Sequence, residues 1–132
     1  MKTTVTIARV LLSLIFLVFG IDYFFPFLSH IINFPAGGNK ADSFFGALSA
    51  AGYFFPFLKS IEIVCGFFLL INRYTAFFLV ALFPISVNIF VFHACMMPVY
   101  VPFGAAILAL NVFLLYAFRK YYAGLFTAKP TI

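Results

Sequence analysis

Lys59 and Glu62 stand three residues apart inside a run of apolar and aromatic residues. Residues at i and i+3 share a helix face, so the amine and the carboxylate can meet there. A carboxylate takes up or releases a proton, and an ammonium donates to an oxygen; together they can hold a polar headgroup. Asp22, Asn88 and His93 interrupt other apolar runs and add a second carboxylate, an amide and an imidazole. Imidazole changes charge near neutral pH, which suits proton exchange. A lone charge at a bilayer centre costs at least ~2.5–3.5 kcal/mol on insertion scales. Asp22, Lys59 and Glu62 are therefore expected to pair, most simply with Lys59 bridging both acids. That leaves one carboxylate in surplus. Two readings stay open: a buried polar clasp that fixes helix register, or a ligand or proton site.

The elements that must position these groups follow from composition. The chain has 132 residues, of which 66% are hydrophobic and 8% charged, with 22 Phe and a net charge of +5. Its mean hydropathy is +1.18. A soluble domain is about half apolar and about a quarter charged, and a small one has much surface to cover. A soluble enzyme, a disordered chain and a nucleic-acid binder are poor fits. An integral membrane protein with little mass outside the bilayer fits. A span needs about 20 apolar residues. Long apolar runs without period-2 alternation favour helices over a barrel.

The predicted fold is all-α: a single membrane domain forming a four-helix bundle. The spans are expected over about 5–28, 53–71, 74–93 and 102–118, with an interfacial segment over about 44–51 set off by Gly52 and Pro56. The first span carries no small-residue cleavage site and is read as retained. Lys2, Arg9, Arg73, Arg119, Lys120 and Lys129 fall on one side of this arrangement, and Lys40 on the other. By the positive-inside rule both termini are expected to be cytoplasmic, and the loops over 29–43 and 94–101 to face outward. The expected location is the cell (inner) membrane, crossed several times.

A rise of 1.5 Å per residue gives depths. Glu62 lies ~15 Å from the inner end of its span, Lys59 and Asp22 ~20 Å, Asn88 ~22 Å and His93 ~30 Å. All five thus share the outer half of the bundle. Arg9 is close enough to the inner surface to snorkel and anchor. Pro84 frees the carbonyl of Val80 and could open space beside Ser86 and Asn88. Asn111 reads as interhelical glue, and Gly104 with Ala105 and Ala109 as a packing face for another helix or a second subunit. The hexamer Tyr23-Phe24-Phe25-Pro26-Phe27-Leu28 recurs as Tyr53-Phe54-Phe55-Pro56-Phe57-Leu58, read as an aromatic interface belt or a shared ligand entrance. His93-Ala94-Cys95-Met96-Met97 has soft-metal chemistry, but neighbours on one helix do not converge, so no metal is assigned. Cys65 and Cys95 fall at different depths and cannot pair.

The pattern resembles the DoxX family of small four-span membrane proteins. The resemblance is carried by Ala8-Arg9 followed by an apolar run to Phe19-Gly20, and by Gly52-Tyr53-Phe54-Phe55-Pro56-Phe57-Leu58-Lys59. It continues through Glu62-Ile63-Val64-Cys65-Gly66 with Leu69-Leu70-Ile71-Asn72-Arg73, and through Pro84-Ile85-Ser86-Val87-Asn88-Ile89-Phe90-Val91-Phe92-His93. It covers most of the chain, and the Glu-to-Gly and Asn-to-His stretches are its specific parts. It implies a four-helix bundle and a role in membrane complexes, some of them thiosulfate–quinone oxidoreductases or linked to redox stress, others assisting membrane-protein assembly. One departure is Asp22-Tyr23 after Gly20, where many members carry a basic residue; an anionic-substrate site is therefore not carried over.

Three functions compete. In the first, the outer-half pocket binds a quinone headgroup, with Glu62 and His93 exchanging protons and with Asp22, Lys59 and Asn88 binding the ligand. Electrons would come from a partner redox subunit or a bound reductant. In the second, the chain is a non-catalytic accessory subunit or membrane chaperone. In the third, it is a proton-coupled small-solute carrier, which with four spans would need to work as a dimer, a homo-oligomer of this chain. The expected partners are the lipid bilayer and a membrane subunit, with no nucleic acid.

Overall fold

The computed structural model describes residues 1–32 and 38–132. Six α-helices follow one another: α1 (Lys2–Phe24), α2 (Leu28–Ile31), α3 (Asn39–Ala50), α4 (Phe54–Leu70), α5 (Thr75–Met96) and α6 (Val101–Ala117). A 3-10 turn, Pro98–Tyr100, leads into α6, and a 3-10 segment, Arg119–Phe126, follows it. There is no strand among the described residues. The outward loop expected over 29–43 includes residues 33–37, which lie outside the described residues.

Four helices form a ring in the order α1, α4, α5, α6, each packed on the next and α6 closing back on α1. The α1–α4 and α5–α6 pairs are the closest, and glycines make them so. A Cβ on Gly66 would stand 3.0 Å from the backbone oxygen of Ser13, and one on Gly20 would stand 2.7 Å from Ile63. Small residues at a crossing let two backbones approach, which is how helices associate where lipid removes the hydrophobic drive. Leu12, Leu69, Leu79, Leu82 and Leu114 are fully buried between the four helices and form a solid core.

Three stretches are long and apolar enough to cross a bilayer: α1, α5, and Pro98–Ala117. The α3–α4 pair makes a fourth if its 91° bend is counted within one span. Only 28%, 22% and 22% of the most apolar windows of the first three is buried inside the protein. Their remaining surface is apolar and faces outward, the mark of a multi-pass membrane protein. The interfacial segment expected over 44–51 is the C-terminal part of α3, which starts earlier and lies across the start of α4.

The repeated hexamer has opposite roles in its two copies. In the first, α1 stops at Phe24, four residues short of the expected Leu28. Pro26 cannot continue a helix, and Asp22 Oδ1 accepts from the backbone N–H of Phe27 and of Leu28, both at 2.9 Å. In the second, Pro56 falls in the first turn of α4, where its missing N–H costs nothing. Gly52 stands where Asp22 stands in the first copy, and its φ of +85° is readily adopted only by glycine. The copies meet through Tyr23 and Phe55, with ring centroids 6.0 Å apart.

Arg9 does more than anchor. Its guanidinium donates to the carbonyl oxygens of Leu69 and Leu70 at the end of α4. Those are terminal carbonyls with no helical partner, at the negative end of the helix dipole. Asn72 follows in the left-handed region at φ +56°, with Arg73 N–H bonded to Phe68 oxygen and Asn72 N–H to Leu69 oxygen. This is a Schellman stop. Thr75 Oγ1 then donates to Asn72 Oδ1 at 2.6 Å, holding the tight turn into α5.

Candidate functional site

Above the leucine core the ring is hollow. A cavity of about 630 Å³ opens in the half of the bundle where α1 and α5 end, the half expected to lie outward, and its volume is within the range of small-molecule sites. Asp22, Lys59, Glu62, Asn88 and His93 all line it. The rest of its wall is apolar and largely aromatic, with Phe16, Phe19, Phe55, Phe92 and Phe103 among the rings.

Lys59 Nζ and Glu62 Oε2 form an ion pair at 3.0 Å. The pair is lopsided: the Lys59 side chain is 21% exposed and that of Glu62 4%. Oε2 is sealed from solvent, and the contact lacks hydrogen-bond geometry. The expected three-membered cluster does not form, because the first-copy turn occupies Asp22. Its Oδ1 serves two backbone N–H groups, and it makes no ion pair with Lys59 among the described residues. The wall thus holds one amine–carboxylate pair and one separate carboxylate.

His93 lies in the last turn of α5, which runs to Met96. Its ring packs on α6 at Gly104, where a Cβ would lie 2.7 Å from Nδ1 and 3.2 Å from Phe90 Cα. Nδ1 is buried there with no partner. A buried orphan lone pair costs less than a buried orphan N–H, so the neutral ring should carry its proton on Nε2. Gly104 is thus committed inside the bundle. This is the packing on another helix expected for Gly104, while Ala109 stays exposed. Asn88 sits at the exposed edge of the cavity with its side chain unbonded among the described residues. Ser86 is fully buried, and its Oγ accepts from Asn111 Nδ2 at 3.1 Å, so these two tie α5 to α6.

Helix α3 covers the cavity. Phe44, Phe45 and Leu48 face in, with Phe45 edge-on to Phe92 at 4.8 Å and tilted against Phe55 at 5.7 Å. Sequence reasoning placed this segment at the membrane interface but missed its part in the wall; the adjacent Phe44 and Phe45 were the available signal. It also missed Met97, Tyr100 and Phe103, which line the cavity from the α5–α6 connection and the first turn of α6. No protein-family model, curated protein or solved structure matches this chain.

Among the described residues no three His, Cys, Asp or Glu side chains converge. Cys65 is buried beside the core and Cys95 is exposed at the other end of the bundle. The cavity offers chemistry of a different kind: one buried carboxylate beside an amine, an amide at the edge and an imidazole opposite, inside aromatic walls. Such a set can grip a flat polar ring and move protons to or from it.

Proposed function

We propose that the chain is a DoxX-like protein of the cell (inner) membrane, with both termini cytoplasmic, whose outer cavity binds a quinone headgroup. The observation that carries this reading is the cavity itself: five polar side chains from three helices share one aromatic-walled space of about 630 Å³. In it, Lys59 and Asn88 donate to the two carbonyl oxygens. Glu62 and His93 stand as the proton carriers, and Asp22 shapes the rim through the turn it holds. Reduction of the ring takes two electrons and two protons. The protons pass through Glu62 and His93, and the electrons come from a partner redox subunit.

Extraction in native lipids followed by mass spectrometry tests the reading. Quinone should copurify with the wild type and fall at least ~10-fold in Glu62→Gln and His93→Ala, since ~1.4 kcal/mol of lost binding is tenfold. Quinone-free wild-type protein, or equal content in the variants, would overturn it. The accessory-subunit alternative keeps one specific support, the outward Ala109 on α6. Crosslinking in native membranes would then trap a single dominant partner.

A further inference from the structure

We propose that the end of the bundle opposite the cavity carries a seat for one anionic phospholipid. The proposal rests on the chain crossing a bilayer and is independent of what the outer cavity holds. A second hollow, about 740 Å³, lies at that end between the start of α5 and the 3-10 segment after α6. Much of its wall is apolar, with Phe77, Val80, Phe118 and Leu125. Tyr74 and Tyr121 add phenol groups, and Asn72 an amide. A wall that combines phenols and an amide with bare hydrocarbon can meet both the headgroup and the acyl chain of a phospholipid.

The groove is built rather than incidental. Tyr122 donates its hydroxyl to the Ala76 oxygen at 2.8 Å and so staples the 3-10 segment against the first turn of α5. Burial pushes that phenol up to about 12, so it remains a donor at working pH.

Charge selects the occupant. The three acids of the chain, Asp22, Asp42 and Glu62, all lie outside this end, while Lys2, Arg9, Arg73, Arg119, Lys120 and Lys129 gather toward it. Two of these cations are committed to the protein. Arg9 caps α4, and Arg119 donates to the Tyr116 oxygen while stacking 4.2 Å over the Tyr116 ring. Two border the groove and remain available. Arg73 stands in the chain between the lining residues Asn72 and Tyr74, and its guanidinium has no partner among the described residues. Lys120 lies over the ring of Tyr121, itself a lining residue, at 5.1 Å. A guanidinium grips a phosphate oxygen pair more firmly than an ammonium does, which makes Arg73 the principal contact.

Native mass spectrometry of the full chain in detergent tests this, with phosphatidylglycerol and phosphatidylcholine of identical acyl chains as probes. Two basic groups at a lipid surface should give roughly a tenfold or greater preference for the anionic lipid, one molecule per chain. The Arg73→Gln/Lys120→Gln double variant should bring that preference below about threefold, and Arg119→Gln should leave it unchanged. Val80→Trp fills the groove and should abolish retention of either lipid. Equal retention of the two lipids by the wild type would overturn the proposal, and that comparison needs no variant. A preference that survives the double variant would overturn it too. A lipid-free dimer would show that a second copy covers the groove instead.

Discussion

The two halves of this bundle use the same materials for different ends. Away from the cavity, several polar side chains tie elements together. Arg9 caps α4, Thr75 braces the turn into α5, and Ser86 and Asn111 tie α5 to α6 around a core of fully buried leucines. In the outer half the helices stand around a hollow. Glu62 Oε2 and His93 Nδ1 are buried without hydrogen-bond partners, and Asn88 is left unbonded at the cavity edge. Asn111 Oδ1 is unpaired as well, so what sets the two regions apart is that Asp22, Lys59, Glu62, Asn88 and His93 share the wall of one cavity. The contrast separates side chains that join helices from side chains that share a cavity wall.

Truncation in the solid half should show the largest effect. Leu82→Ala opens a void in a fully packed site and should cost about 2–5 kcal/mol, measured by equilibrium unfolding in mixed micelles. Leu58→Ala on the cavity wall already borders empty space and should cost about 1 kcal/mol or less, because little new void is created. Similar losses at both positions would erase the distinction. Arg9→Gln removes the charged donor to two carbonyls and should cost about 1.5–3 kcal/mol in the same assay. Asn111→Ala leaves the Ser86 hydroxyl alone in the interior; hydrogen bonds between membrane helices average about 0.6 kcal/mol and reach about 1.7. The smallest change in stability is expected from Glu62→Gln, since the isosteric amide relieves a buried charge as it loosens an ion pair.

Much of this contrast was legible in the sequence, for physical reasons that also mark its limits. Position along a helix follows from residue count, so the gathering of Asp22, Lys59, Glu62, Asn88 and His93 in one half of the bundle could be read directly. The i,i+3 spacing of Lys59 and Glu62 gave their ion pair. Facing direction across helices does not follow from count, and there the reading erred. Asp22 was assigned to Lys59, yet it serves the turn after α1, because a proline two residues past a helix end leaves N–H groups for a nearby acid to take. Gly104, expected with Ala105 and Ala109 to pack on another helix or a second subunit, does the first: it receives the ring of His93 from α5. Arg9 was treated as a snorkelling anchor, yet it caps α4, a contact across sixty positions that no local pattern announces. The hexamer shows the limit most plainly: six identical residues end one helix and begin another, and the difference lies in what precedes them, Asp22 in one copy and Gly52 in the other.

The most direct test of the central claim is a titration of the purified protein with a short-chain benzoquinone, followed by quenching of its tyrosine fluorescence. The account predicts saturable one-to-one binding that weakens at least ~10-fold in Glu62→Gln and His93→Ala while the unfolding midpoints stay near that of the wild type. Absence of saturable binding, or equal affinity in wild type and both variants, would contradict it and leave the polar residues of the outer half as a clasp between helices.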